Sequence, residues 1–173
     1  MVSSISFDFD LKTAEKFIYN CCNFEISNLK ISPESQEYGA CTFEINEKKI
    51  QYRFAKITPT KIGQFVTIWK RNHEGITKPF DASDEIDFII ITTRSGNKLG
   101  QFIFPKKVLA EKGILSQNGK SGKRGIRVYP SWDIPNNKQA LKTQNWQLNY
   151  FLIIKTDNST DLELAKKLLE TNY

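Results

Sequence analysis

Two patterns in the chain place charge where it can do chemistry. The first is a run of cations. Residues 94–127 hold Arg94, Lys98, Lys106, Lys107, Lys112, Lys120, Lys123, Arg124 and Arg127 against one acid, Glu111, a local balance of +8 in a protein whose net charge is +6. Like charges repel, so such a segment calls for an anionic partner. A polyphosphate backbone fits best, because each phosphate paired with Lys or Arg releases a condensed counterion. The second pattern resembles catalytic apparatus. Metal-dependent nucleases set a carboxylate on one strand and Glu or Gln-x-Lys on the next, so that oxygen ligands hold Mg²⁺ and the lysine steadies the attacking water. Asp87 with Gln101-Phe-Ile103, and Glu44 with Gln51-Tyr-Arg53, approach that spacing. The first pair ends in isoleucine and the second in arginine, a poor proton acceptor whose pKa stays above about 12. The expectation is therefore no catalytic residue and no cofactor; a nuclease would use Asp87, Gln101, Glu44 and Gln51 with Mg²⁺.

Other reactive groups narrow the choice. His73 is the one histidine, and the three cysteines, Cys21, Cys22 and Cys41, lack zinc-site or redox spacing, so no metal site is expected. Cys21 and Cys22 fall on the apolar face of a predicted helix and Cys41 in a predicted strand, which suits buried structural thiols. The acids Asp81, Asp84, Glu85 and Asp87 read as a solvated turn entering a strand. Gly, Ser and Lys in Lys120-Ser-Gly-Lys-Arg-Gly could cradle a phosphate, yet lack the strand-loop-helix context of a P-loop.

Binding needs reachable cations and, for unpaired bases, aromatic faces. Trp69 followed by Lys70-Arg71, and Arg127 followed by Tyr129-Pro-Ser-Trp132, offer both. A short echo, Gly63-Gln-Phe-Val and Gly100-Gln-Phe-Ile, precedes Lys70-Arg71 and Lys106-Lys107 respectively. It predicts two strands of one sheet delivering both cationic pairs to one edge. The expected nucleic-acid-binding residues are Lys70, Arg71, Lys106, Lys107, Lys120, Lys123, Arg124, Arg127, Trp69 and Trp132.

The elements that must position these residues follow from periodicity. Apolar spacing predicts a first helix over 10–24, opened by acids. Period-two alternation predicts a hairpin over 41–45 and 50–57, and a β-rich run over 63–71 that continues an antiparallel meander. A loop is expected over 72–83, a buried strand over 85–93, a turn at 95–97 and a partner strand over 99–104 ended by Pro105. A short helix over 106–111 stops at Gly113. Residues 116–125 read as a mobile loop, 126–129 as a strand, 135–145 as a helix with Pro at its start, and 162–169 as a closing helix. The type of 146–154 is left open. The class is α+β, a largely antiparallel or mixed sheet with flanking helices.

At 173 residues, with 39% hydrophobic and 12% aromatic content, one domain over 1–173 is expected. No apolar run approaches membrane-spanning length and no secretory signal is read at the start, which predicts a cytoplasmic protein without membrane insertion.

Four motifs occur in order: Tyr52-Arg-Phe-Ala-Lys-Ile-Thr-Pro-Thr-Lys-Ile-Gly-Gln-Phe-Val-Thr-Ile-Trp-Lys-Arg, then Gly100-Gln-Phe-Ile-Phe-Pro-Lys, Arg127-Val-Tyr-Pro-Ser-Trp and Thr143-Gln-Asn-Trp-Gln. Over roughly 38–152 the chain resembles the MepB family, small bacterial proteins encoded beside a MATE-type multidrug exporter and a MarR-type repressor. The resemblance implies a soluble cytoplasmic protein and no particular reaction. Residues and resemblance together predict a nucleic-acid-binding protein, DNA or RNA, and leave any protein partner open. The alternatives are a divergent metal-dependent nuclease and a module whose basic face meets an acidic protein or a nucleotide-like ligand.

Overall fold

The computed structural model describes residues 4–170; the two ends of the expected 1–173 domain lie outside it. Six consecutive β-formers, Phe88 to Thr93, open strand β8 (Phe88–Ser95), and all six are buried. Such a strand needs cover on each side, and the chain supplies two separate cores. Phe88 and Ile90 point into one, with Leu11, Ile18 and Tyr19 from the N-terminal helical segment and Leu168 from the C-terminal helix. Ile89 and Ile91 point into the other, with Phe102, Phe104, Val66, Ile68 and Val128.

The main sheet has six strands in the order β1 (Ile26–Ile31), β2 (Cys41–Ile45), β3 (Lys48–Phe54), β8, β9 (Lys98–Pro105) and β11 (Phe151–Ile154). All its pairs are antiparallel except β3 with β8, where Ile50 lies beside Phe88 and Phe54 beside Thr92. The chain between them carries β4 (Lys56–Thr58), β5 (Lys61–Thr67), β6 (Trp69–Arg71) and β7 (Thr77–Pro79). β4 and β5 form a three-stranded sheet with β10 (Gly125–Val128), and β6 pairs with β7. Helices α1 (Ser4–Ala14), α2 (Lys106–Glu111), α3 (Lys138–Gln147) and α4 (Leu162–Glu170) complete an α+β fold. Among the described residues no helix is long and apolar enough to cross a membrane.

Local chemistry accounts for most boundaries. Asn46 and Glu47, both at positive φ, close the β2–β3 hairpin in two residues, the backbone a tight primed turn requires. Asn137 starts α3 by accepting a hydrogen bond from Ala140 N at 2.8 Å, which places the start three residues beyond Pro135. The first helix begins before residue 10. Asp10 is not its opening acid but a buried carboxylate, 2.9 and 3.1 Å from Arg94 Nε. From Glu15 the helical turns loosen to π and then tighten to 3₁₀, ending at Asn23 in the left-handed region. β1 lies in what reads as a polar stretch, because it is an edge strand with five of six residues exposed and an irregular register around Asn28. Nor is 116–125 loose. Gln117 and Lys120 bond each other's backbone at 3.0 Å, Lys123 N reaches Ile114 O at 2.9 Å, and Gly122 N reaches Ser116 Oγ at 2.9 Å.

The echoed strands belong to different sheets, β5 to the small one and β9 to the large one, so the shared edge expected from them does not form. Their likeness has a packing cause instead. Gly63, at φ +82°, seats the Tyr129 ring so closely that an added Cβ would lie 2.7 Å from two ring carbons. Gly100 seats the Phe151 ring from β11 in the same way, leaving no room for a side chain. The glutamine beside each glycine is buried and bonded: Gln64 Nε2 to Arg94 O at 3.1 Å, Gln101 Nε2 to Thr92 Oγ1 at 3.0 Å.

Gln101 also accepts from Tyr19 OH at 2.6 Å, linking the N-terminal helical segment to the centre of the sheet. In Gln101→Leu the buried Tyr19 hydroxyl loses its acceptor, and chemical denaturation should show a loss of about 1–3 kcal/mol. Adding Tyr19→Phe removes the orphaned group and should recover part of that loss. A double variant less stable by the sum of both single effects would contradict the direct pairing.

Candidate nucleic-acid interface

The site is assembled by two buried glutamines one turn apart on α3. Gln147 Oε1 accepts from Tyr129 N at 2.9 Å and its Nε2 donates to Arg127 O at 3.1 Å. Gln144 Nε2 donates to Pro130 O at 3.0 Å and Asp133 O at 2.8 Å. A primary amide has a donor and an acceptor on one short stem, so a single residue can satisfy an N–H and a C=O of the same passing backbone. The pair fastens the chain leaving β10 to the helix, and β10 in turn pairs with β5, Arg127 facing Phe65. Beside these elements lies a groove of about 670 Å³.

Four cations line it: Lys61 from β5, Lys112 from the end of α2, Lys123, and Arg127 from β10. No carboxylate is among its lining residues, and none of the four is in an ion pair among the described residues. Arg127 is held in place by donating from Nη1 to Gly63 O at 3.1 Å and Ile62 O at 3.3 Å. The lysines are exposed. Two half-buried rings share the groove. Tyr129 rests on Gly63, and Trp146 packs on Phe104 at 5.4 Å between centroids, with Lys112 Nζ 5.4 Å from its ring centre. Asn136, Asn137 and Gln139 add amides. One fixed cation, three exposed lysines, aromatic faces and no competing anion make a surface suited to a phosphodiester chain.

The expected binding residues divide among several places. Lys123 and Arg127 enter the groove. Lys120 sits on the neighbouring exposed turn, and Arg124 donates to Thr77 O at 3.0 and 3.3 Å. Lys106 and Lys107 line a separate cleft of about 470 Å³ with Lys48, Asp87 and Glu111. Lys70 is ion-paired to Asp84, whose backbone oxygen also accepts from Lys106 Nζ at 3.2 Å, so one member of each cationic pair converges on a carboxylate-bearing residue. Arg71 bonds Glu34 at 2.7 Å, holding that carboxyl below its usual range, and lies over Trp69 at 5.4 Å. Trp132 packs edge-on against Phe151 and lines another, more apolar groove. Lys61, Lys112 and Trp146 also line the groove but are not among the expected binding residues: Lys112 lies in the basic run and Lys61 and Trp146 in the shared motifs, and only the meeting of segments distant along the chain brings them together.

The nuclease-like pairs differ in outcome. Asp87 Oδ2 accepts from Lys49 N at 2.8 Å, tying the approach to β8 onto β3. Gln101 faces Thr92, five residues further along β8, about 16 Å away at the usual rise, and is fully buried. Those two do not converge. Glu44 and Gln51 do share a cleft, with Lys49 and Glu85, but Lys49 is paired to Glu85 and Glu44 accepts from Asn28 Nδ2 at 3.1 Å. Arg53 is buried over Phe80, and loss of water pulls its pKa down to about 10. Burial pushes the Cys41 thiol up to about 12, while Cys21 is exposed rather than on the apolar face. Among the described residues no three His, Cys, Asp or Glu side chains are grouped to hold a metal ion.

A profile described as MepB-like matches residues 32–153, a span that contains every residue lining the groove. Among solved structures, a crystal structure of MepB is 39% identical, with a TM-score of 0.72 over 74% of this chain and 86% of that one. A bacterial homing endonuclease is 11% identical, with a TM-score of 0.48 over 86% of this chain and 93% of that one, a likeness too loose to carry an argument. No curated protein matches the chain.

Gln147→Leu tests the clamp. It leaves the Tyr129 N–H and Arg127 C=O without their partner and should lower the unfolding free energy by about 2–4 kcal/mol in denaturant titration. A change within about 0.5 kcal/mol, the range of an ordinary surface substitution, would show that the amide does not hold the groove together.

Proposed function

The chain belongs to the MepB-like family, and from that premise we propose that it is a nucleic-acid-binding protein whose contact surface is the groove bounded by β5, β10 and α3. The observation that carries this reading is the meeting of Lys61, Lys112, Lys123 and Arg127 in one concavity without a lining carboxylate. A solvated basic face would scatter such charges or pair them, as Lys70 and Arg71 are paired. Cations left unpaired around a fixed Arg127 are poised to replace the counterions of a phosphodiester backbone. Phosphate contacts fix register and affinity without reading sequence, so the groove implies binding to many sequences. The setting implied by the family resemblance is the cytoplasm, in association with a multidrug-efflux locus.

A second reading is a divergent metal-dependent nuclease, and one observation favours it: Glu44 and Gln51 share a cleft with Lys49 and Glu85. Mg²⁺-dependent cleavage of single-stranded DNA, duplex DNA or RNA that is lost in Glu44→Gln with the fold intact would establish that activity. Our reading expects no cleavage that responds to this substitution.

The binding test is the salt dependence of affinity. Replacing Lys61, Lys112 and Lys123 together with Gln should flatten the slope of log K against log salt by about 2 for a single-stranded oligonucleotide, at roughly 0.7 per phosphate contact. Melting temperature should change little, since all three side chains are exposed. Lys70→Gln should leave the slope as it is. An unchanged slope in the triple variant would remove the groove from the binding surface.

A further inference from the structure

We infer that the groove accepts an unpaired base, stacked against Tyr129 and Trp146, and that the nucleic acid it takes is therefore single-stranded. This rests on the nucleic-acid reading above and names its substrate class. A duplex turns its phosphates outward and keeps its bases stacked on one another, so it would engage the cations and leave both rings idle. The groove instead sets two half-buried rings among four cations, the combination by which single-strand binders track a backbone and hold its bases.

Each ring is prepared differently. Tyr129 is seated on the bare backbone of Gly63, and its own N–H is bonded to Gln147, so ring and backbone are fixed before any ligand arrives. Trp146 is backed by Phe104 and overlaid by Lys112. The lysine is exposed, and an exposed cation over the face of a half-buried ring is held only weakly, by roughly the energy of one surface contact. A phosphate in the groove draws Lys112 off the indole, which frees that face for a base. Charge pairing and stacking are thereby coupled through one side chain. Exposed Asn136 and Gln139 at the start of α3 offer donors and acceptors to a base edge, whichever base it is.

The experiment compares three ligands of equal length and fixed salt: a 12-mer of oligothymidylate, an abasic phosphodiester 12-mer and a 12-base-pair duplex. Affinity is read by anisotropy of a labelled ligand and stacking by tryptophan emission. The expected result is binding of the base-bearing strand about 5- to 150-fold tighter than the abasic strand, the range that stacking one base supplies. Emission should be quenched by the first ligand only, and the quenching should vanish in Trp146→Phe. Tyr129→Ala should bring the two single strands together in affinity. The comparison on the unaltered protein stands even if that variant does not fold. Equal affinity for the abasic strand, or tighter binding of the duplex, overturns base stacking and leaves the groove as a phosphate site. Binding of none of the three overturns both this inference and the nucleic-acid reading.

Discussion

The structure depends on one parallel pairing, β3 beside β8, in a sheet that is otherwise antiparallel. Parallel neighbours cannot be joined by a tight turn; the chain must travel back the length of the strand, and a helix usually makes that journey. Here residues 55–87 make it as β4 to β7. That excursion lays Val66 and Ile68 over Ile89, Ile91, Phe102 and Phe104, so the return path is also the cover for one face of the main sheet. Once β5 is fixed there, β10 has an edge to join, and the strand that carries Arg127 and leads into Tyr129 is placed beside α3. The groove is a consequence of how the sheet solves its crossover.

Buried glutamines convert that placement into rigidity. Gln64, Gln101, Gln144 and Gln147 are all buried and all bonded, three of them to backbone carbonyls. Inside a protein an amide that finds its partners strengthens the local arrangement, whereas a missing partner costs its full desolvation. Gln64 Oε1 is the exception, a buried acceptor without a partner in the structure. Glycine acts beside glutamine: Gly63 and Gly100 give up side chains so that the Tyr129 and Phe151 rings can lie close against the neighbouring strand. One of those rings belongs to a core and the other lines the groove, so the same packing device serves the core beside β9 and shapes the groove beside β5.

Much of this was legible wherever a signal was local. The hairpin that alternation predicts over 41–45 and 50–57 forms over Cys41–Ile45 and Lys48–Phe54, its last residues passing instead to β4, and α2 appears over Lys106–Glu111 where Pro105 and Gly113 bracket it. Signals that depend on distant partners were not legible. β1 looked polar because an exposed edge strand does not alternate. The echoed Gly-Gln-Phe was real as a packing device, yet it could not reveal that its copies sit in different sheets. Net charge picks out the basic segment, but it could not show that Lys70 and Arg71 meet Asp84 and Glu34, or that Lys61, far outside the segment, joins Lys123 and Arg127. Charge composition counts cations; only tertiary contacts decide which remain unpaired.

The claim that matters most is that these unpaired cations form a single contact surface, and lysine reactivity mapped by mass spectrometry, with and without a saturating single-stranded oligonucleotide, addresses it most directly. The account predicts joint protection of Lys61, Lys112 and Lys123, with Lys30 and Lys166 on other faces unchanged. Protection confined to Lys48, Lys106 and Lys107, with the groove lysines as reactive as in the free protein, would contradict it and move the interface to the cleft beside α2.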